Sequence, residues 1–209
     1  TRRDGVLKVT GRAPYAADRQ PERLLHAVVA TAGIARGRVT RLDTEAAEAH
    51  ARVVKVYTPR NRPPLAKGPD EKIHGFAWRM EALQDDSVRY AGQPIALVVA
   101  ETLEAAMEGA RLLSPSYEAQ PPRMGVDGGV PYPPKTVGIG GEPSREAGDM
   151  EAERAQASRH FETMVETPAQ YHNAMEPHAI TAEWKGDRLE IDTPNQAIGL
   201  AKISFATYL

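Results

Sequence analysis

A stretch rich in proline and glycine, QPPRMGVDGGVPYPPKTVGIGGEP (residues 120–143), divides this chain of 209 residues into two unequal parts. Such a composition disfavours helices and sheets and is typical of an extended linker that lies over a surface. The regular elements must therefore lie on either side of it. We predict one domain over residues 1–120, a linker over 121–147 and the start of a second domain over 148–209.

The first part alternates strand-like apolar runs with short helices. The helix-like TEAAEAHA is followed by the strand-like RVVKVYT, as expected of a βαβ-type unit. The run IALVVA (95–100) then predicts a buried strand, and ETLEAAMEGARLL predicts a helix in which Leu103, Met107 and Ala110 share one face. Two such units side by side predict one small α/β domain.

The second part begins with a short helix, GDMEAERAQA, opened by Asp149, and a strand-like run, SRHFETMVETP. Two alternating runs, AITAEW and RLEIDT, are joined by KGD (185–187) as in a β-hairpin. The final stretch, QAIGLAKISFATYL, has the character of a helix without a stop signal, and the chain does not begin with Met. We therefore expect the opening elements of a larger domain, in a piece of a longer protein.

Charge and composition exclude several classes of protein. The net charge is −2, the pI is near 6.3 and basic residues are interspersed with acidic ones, so no nucleic-acid partner is expected. No apolar run approaches the roughly 18 residues of a membrane helix. The chain has no cysteine, so it cannot by itself hold a disulfide, an iron–sulfur cluster or a zinc–thiolate site.

The segment QYHNAMEPHAITAEW (170–184) contains the most suggestive group of polar residues. His172 and Glu176 have helical spacing, but Pro177 would end such a helix. On a strand both would share a face with His178, an arrangement that could bind zinc in principle. We favour a structural role, in which Glu176 is a buried, hydrogen-bonded carboxylate and the histidines are its partners or pack beside it. No catalytic triad or carboxylate pair follows from the spacing of residues.

Five stretches occur together in an order that resembles one known family: DGVLKVTGRAPYAAD, LLHAVVATAGIARGRVTRLDTEAAE, VRYAGQPIALVVAETLEAAMEGARLL, GDMEAERAQA and HNAMEPHAITAEWKGDRLEIDTPNQ. They resemble the molybdenum-binding large subunit of the xanthine dehydrogenase and aldehyde oxidase family, and TAGIARGRVTRLDT is most similar to its bacterial aldehyde-oxidising branch. The resemblance implies an α+β fold. An α/β hammerhead domain would be followed by the first strands and helix of a molybdopterin-binding domain.

The resemblance also implies a function. Such enzymes oxidise aldehydes, or N-heteroaromatics such as purines, by hydroxylation with oxygen derived from water. The implied cofactor is molybdenum–molybdopterin, with iron–sulfur clusters and FAD on partner subunits. The implied partners are an iron–sulfur small subunit, an FAD medium subunit and the remainder of the molybdenum-binding subunit. We expect a cytoplasmic location, or a periplasmic one through a signal on a partner.

One residue of this chain matches a cofactor contact of the family. Gln196, in TPNQAIG, matches the glutamine that hydrogen-bonds an oxo group of molybdenum, and an amide can donate there without adding charge. His172, Glu176 and His178 would be structural or would lie behind the groups that contact the cofactor. We expect no direct metal ligand and no catalytic residue, because the family's glycine-rich loop, substrate-orienting arginine and general-base glutamate lie downstream. The portion alone is therefore expected to be inactive.

A non-catalytic role is the alternative. The loop over residues 60–85 and the linker could serve as docking surfaces for the iron–sulfur subunit, so that the hammerhead domain acts as an assembly module. This alternative and the enzymatic one are compatible, because the hammerhead domain of the family lies beside the iron–sulfur subunit.

Overall fold

The computed structural model describes residues 2–64, 83–125, 128–138 and 140–208. It divides into two compact units, each with its own internal contacts. Thr1–Arg19 and Tyr132–Gln196 form one unit, which we call the hairpin unit. Gln20–Pro131 and Ala197–Leu209 form the other, which we call the core unit.

The described elements are mixed helices and strands. In chain order they are α1 (Gly5–Val9), a 3-10 turn (Ala16–Asp18), β1 (His26–Thr31), β2 (Gly37–Asp43), α2 (Glu45–Glu48), β3 (Val53–Tyr57), β4 (Ser87–Val88), β5 (Pro94–Ala100), α3 (Leu103–Leu112), β6 (Ser114–Ala119), α4 (Met150–Gln156), β7 (Thr181–Lys185), β8 (Arg188–Asp192) and α5 (Ile198–Tyr208). None of the helices in the described ranges is long and apolar enough to cross a membrane.

The core unit is built from two three-stranded antiparallel sheets. Their strand orders are β1-β5-β3 and β4-β2-β6. The central strand β5 is the predicted run IALVVA, extended by one residue, and its Ala96, Val98 and Ala100 are fully buried. On its other face Ile95 is buried, and Leu97 and Val99 are half-buried, so both faces of β5 favour apolar residues and its sequence is a nearly continuous apolar run.

The helix α3 packs small residues against the sheet. Thr102 caps it by accepting a hydrogen bond from the backbone N–H of Ala105 at 3.2 Å. Its buried residues are Ala105, Ala106 and Gly109. The predicted stripe of Leu103, Met107 and Ala110 lies beside this buried face, and Leu103 and Met107 are 46% and 40% exposed. Small side chains face the strands because they allow the helix backbone to approach the sheet closely.

The strand–helix–strand run around α2 is not a βαβ unit. The strand before α2 is β2 and the strand after it is β3, and these two strands lie in different sheets. Periodicity identifies a strand but does not identify its neighbour, so the prediction of the elements held while the prediction of their pairing was wrong.

The strand predicted over SRHFETMVETP is absent. Residues 158–168 have no regular structure and are exposed. The apolar side chains of Phe161, Met164 and Val165 are more than four-fifths exposed. Because a strand needs a neighbour to which it can hydrogen-bond, an apolar pattern without one does not form a strand.

The hairpin unit contains the predicted hairpin of β7 and β8. The turn at Gly186 and Asp187 lies within the predicted KGD, and Gly186 has a positive φ of 66°, which favours glycine. The helix α4 begins as predicted, because Asp149 accepts a hydrogen bond from the backbone N–H of Ala152 at 3.0 Å. Between β6 and α4, the described residues form only an isolated bridge between Val137 and Gly141.

Candidate functional site

Gln196 lies in the short segment that follows β8. The strand ends at Asp192, and residues 193–197 lead to the start of α5 without regular structure. Gln196 is at a bend and its side chain is exposed. An exposed amide can present two N–H donors to a bound group without adding charge. This position therefore suits contact with an oxygen atom of a ligand.

One face of the hairpin leading to this segment is strongly charged. Side chains alternate across a strand, so residues paired across the ladder share a face with those two positions away. The pairs on this face are Thr181–Asp192, Glu183–Glu190 and Lys185–Arg188. Glu183 therefore lies directly opposite another glutamate, an arrangement that is unfavourable unless cations lie nearby.

The backbone of residue 16 bonds to other parts of the hairpin unit. The N–H of Ala16 donates to Oε1 of Glu176 at 3.2 Å. Its carbonyl accepts from the hydroxyl of Thr181 at 3.1 Å. Ala16 and Thr181 are both buried, so these bonds satisfy polar groups that have little access to water. The N-terminal segment is thus held by side chains that lie about 160 residues away in sequence.

Arg19 supplies the cation that the acidic face requires. Its guanidinium donates to Asp192, to Glu183 at 3.0 Å and to Glu190 at 3.4 Å. The contact with Asp192 raises the pKa of Arg19 above its ordinary value. The planar guanidinium has five donors, so it can hold several carboxylates that a single ammonium could not.

Lys185 completes the charge balance at the turn end of the hairpin. Its ammonium lies 2.7 Å from Glu190 and 3.7 Å from Glu183. The hydrogen bond between Lys185 and Glu190 raises the pKa of the lysine and is the main cause that lowers the pKa of the glutamate. Arg188 lies 3.7 Å from Glu190. The three cations of this face therefore offset its three carboxylates.

The residues singled out in the segment 170–184 do not form one group. Glu176 is half-buried and bonds the backbone of Ala16, whereas His172 and His178 are exposed. Within the described ranges, no cluster of three or more His, Asp or Glu side chains could hold a metal ion. The roles assigned to His172, Glu176, His178 and Gln196 stay predictions.

Three residues of this region were missed in the sequence: Ala16, Arg19 and Thr181. The only sequence signal was the acidic face of the hairpin, TAEWK with RLEID, which requires cations from elsewhere. Nothing local indicates that one of them comes from residue 19. The side chains present do fit the implied cofactor in one respect, because the exposed Gln196 amide offers a neutral donor at the end of a strand.

Two known protein domains match consecutive parts of the chain. Residues 10–121, more than half of the chain, match the α/β hammerhead domain of aldehyde oxidase and xanthine dehydrogenase. The chain belongs to this family. Residues 133–209 match the molybdopterin cofactor-binding domain. The predicted α+β fold, a hammerhead domain followed by the start of a molybdopterin-binding domain, is therefore confirmed. The family comprises molybdenum-dependent aldehyde and xanthine oxidoreductases.

Curated members of the aldehyde oxidase and xanthine dehydrogenase family match over the whole chain. The aldehyde oxidoreductase molybdenum-binding subunit PaoC of Escherichia coli (strain K12) is 33% identical over 99% of this chain and 27% of its own length. The nicotine 6-hydroxylase large subunit of Paenarthrobacter nicotinovorans is 29% identical over 100% of this chain and 27% of its own length. The chain thus spans about a quarter of the length of these relatives.

A solved structure of the family is also similar. The aldehyde oxidoreductase of Desulfovibrio gigas is 26% identical, with a TM-score of 0.48, and the similarity covers 61% of this chain and 15% of that one.

Proposed function

We propose that this chain is part of the molybdenum-binding subunit of an enzyme that oxidises aldehydes by hydroxylation with oxygen derived from water. The observation that carries the proposal is the match to two consecutive family domains, one of which binds molybdopterin cofactor. The 33% identity to a subunit named as an aldehyde oxidoreductase favours aldehydes over N-heteroaromatics such as purines or nicotine. The proposed location is the cytoplasm.

The cofactor contact in this chain is assigned to Gln196. When bound, molybdenum–molybdopterin supplies a metal-activated, water-derived nucleophile and accepts the electrons of the oxidation. The Gln196 amide would hold this group by donating a hydrogen bond to an oxygen of it, and a neutral donor would leave the charge of the metal centre unchanged. Glu176 is not assigned to the cofactor, because its carboxylate accepts a hydrogen bond from the backbone N–H of Ala16. His172 and His178 keep their predicted structural or supporting role.

The proposal includes partner subunits. The chain has no cysteine and cannot carry the iron–sulfur clusters that would take electrons from the cofactor. We therefore assign these clusters to a small subunit and FAD to a medium subunit. The remainder of the molybdenum-binding subunit would supply the general base and the substrate pocket.

The enzymatic function can be tested on the complete complex. The molybdenum-binding subunit, purified with its iron–sulfur and flavin partners, is expected to contain molybdenum and to oxidise aromatic and aliphatic aldehydes with an artificial electron acceptor. A complex that stays inert toward aldehydes and purines after loading with cofactor would contradict the proposal.

The role of Gln196 has a matched control in this chain. Replacing Gln196 with Ala is expected to lower activity or molybdenum retention about 10- to 100-fold, the usual cost of losing a group that supports a metal centre. Gln170 is also an exposed glutamine of the hairpin unit, and Gln170→Ala is expected to have no effect. Equal behaviour of both variants would remove Gln196 from the site.

A docking function is the second candidate. Three large apolar side chains of the predicted linker region, Met124, Val130 and Tyr132, are more than three-quarters exposed. Such side chains suit a contact with an iron–sulfur subunit. The other predicted docking loop, 60–85, lies mostly outside the described residues. A pull-down with that subunit, comparing the wild type with a triple serine variant, tests this: equal retention would contradict docking through the linker.

A further inference from the structure

The two ends of the acidic face of β7 and β8 differ in the cations that contact them. Lys185 and Arg188 lie at the turn, where they contact Glu190 and Glu183. Asp192 lies at the opposite end of β8, and among the described residues the cation that contacts it is Arg19. The side of the hairpin that leads to Gln196 therefore depends on a residue from the start of the chain.

A second contact anchors the same end of the hairpin. Asp192 is paired across the ladder with Thr181, and the Thr181 hydroxyl donates to the carbonyl of Ala16. Residues 16 and 19 thus bind two directly opposed positions of β7 and β8. Thr181 is buried and the Arg19 side chain is only 30% exposed, so this anchor is partly shielded from solvent.

The anchored end is close in sequence to the proposed cofactor contact. Asp192 is the last residue of β8, and only three residues separate it from Gln196. One of them is Pro194, whose ring fixes φ and reduces the freedom of the segment. Because the connection is this short, a displacement of Asp192 is expected to displace the backbone of Gln196 as well.

We propose that Arg19 is a positioning residue for Gln196. It holds the end of β8 through Asp192 and so fixes where the amide is presented, without contacting cofactor or substrate. The inference rests on the proposed function of Gln196. It gives the N-terminal segment, which lies far from Gln196 in sequence, a part in arranging the molybdenum site.

The test uses the complete enzyme with its partner subunits and four variants: Arg19→Gln, Arg19→Lys, Asp192→Asn and, as control, Arg188→Gln. The control removes a cation from the same network, but Arg188 is 77% exposed and contacts Glu190 instead of Asp192. Arg19→Lys keeps the charge but lacks the planar fork, so it is expected to rescue only in part. If the Arg19 variants fold poorly, Asp192→Asn tests the same contact from the strand side, because it removes the negative charge that pairs with Arg19.

The first readout is hydrogen exchange of the backbone amides of residues 189–197, which does not depend on the cofactor. Arg19→Gln and Asp192→Asn are expected to raise exchange rates roughly two- to fivefold, as for loss of partly exposed ion pairs. Arg188→Gln is expected to leave residues 192–197 unchanged. Unchanged exchange in the Arg19 and Asp192 variants, or an equal rise in the control, would overturn the proposal.

The second readout is the reduction potential and EPR spectrum of the molybdenum centre. Arg19→Gln is expected to shift both in the direction that Gln196→Ala does, and the double variant is expected to add little to Gln196→Ala, because both changes act through one contact. If Gln196→Ala shifts the centre and Arg19→Gln does not, positioning by Arg19 is overturned. If Gln196→Ala itself shifts nothing, the proposed function of the amide fails instead.

Discussion

Gln93 is a buried amide whose nitrogen and oxygen both form hydrogen bonds with backbone groups. Its Nε2 donates to the carbonyl of Ser87 at 2.6 Å, and its Oε1 accepts from the N–H of Arg89 at 2.7 Å. It thereby holds the two-residue strand β4 beside the entry to β5. The Gln93 side chain thus supplies hydrogen bonds to backbone groups at β4 that would otherwise need a neighbouring strand.

Removing this bridge is expected to destabilise the core unit. Gln93→Leu leaves a backbone donor and a backbone acceptor without their partner, at a cost of about 1–3 kcal/mol. Gln93→Glu keeps the acceptor for Arg89 but loses the donor to Ser87, and it is expected to be destabilising as well. Urea unfolding of both variants tests this, and an unchanged midpoint for the leucine variant would contradict it.

Glu190 makes the hairpin unit sensitive to acid. Lys185, and to a smaller extent Arg19, lowers the pKa of Glu190. A group whose pKa is lower in the folded than in the unfolded state stabilises the folded state at pH values above its unfolded-state pKa. This contribution is lost as the pH falls through its folded-state pKa. Stability should thus be constant near neutral pH and fall when the solution becomes more acidic than about pH 4.3.

This dependence can be measured with Glu190→Gln. At pH 7 the variant is expected to unfold the β7–β8 hairpin at a lower urea concentration. Hydrogen exchange of the β7 and β8 backbone amides measures this unfolding. The variant is expected to lose this effect progressively as the pH falls through the folded-state pKa of Glu190, below which the wild-type carboxylate is protonated too. Glu162→Gln, at an exposed position in irregular structure, is the control. An effect of Glu190→Gln that does not decrease as the pH falls would argue against a role of its charge.

At the scale of elements, local chemistry explains which segments form helices and strands. Alternation and a glycine turn predicted β7 and β8, an apolar β-branched run predicted β5, and Asp149 was predicted to open α4. Pairing was not predictable in this way. The run 158–168 had a suitable apolar pattern but no neighbouring strand, and β2 and β3 belong to separate sheets although they are consecutive.

Gly109 offers a test of how α3 packs on the sheet. A Cβ at this position would lie 2.9 Å from Val53 Cγ2 and 2.9 Å from Val98 Cγ1. Valine side chains are stiff, so Gly109→Ala is expected to cost about 1–3 kcal/mol in strain, more than the ~1 kcal/mol that alanine gains in a helix. Gly199 in α5 has open space at its Cβ position, and Gly199→Ala is expected to be neutral or stabilising.

Urea unfolding followed by circular dichroism distinguishes the two glycine variants. If close packing of α3 is correct, the midpoint falls for Gly109→Ala and does not fall for Gly199→Ala. A gain in both variants would show that helix propensity outweighs contact with the sheet at residue 109.

At the scale of the whole molecule, the grouping of contacts differs from the order of the sequence. The boundaries at residues 120 and 147 were predicted from composition and stay a prediction. The contacts group Thr1–Arg19 with Tyr132–Gln196, which begins within the predicted linker and extends beyond it. Local patterns could not indicate this, because Ala16 and Arg19 bond to residues that are 160 to 173 positions away. For the same reason the contacts of Arg19, the proposed support of Gln196, could not be predicted from local patterns.

Deletion of residues 1–19 should therefore affect the hairpin unit and spare the core unit. It removes both backbone bonds of Ala16 and all contacts of Arg19. Glu176, Asp192 and the Thr181 hydroxyl each lose a partner, whereas Glu183 and Glu190 keep Lys185 at the turn end of the hairpin. Hydrogen exchange should rise over 176–192 and stay constant over β5 and α3, whose buried contacts lie within residues 28–117. Deletion of residues 1–11 is the control, because it removes α1 but keeps residues 15–19. If both deletions have the same effect, α1 and not the segment of Ala16 and Arg19 holds the hairpin.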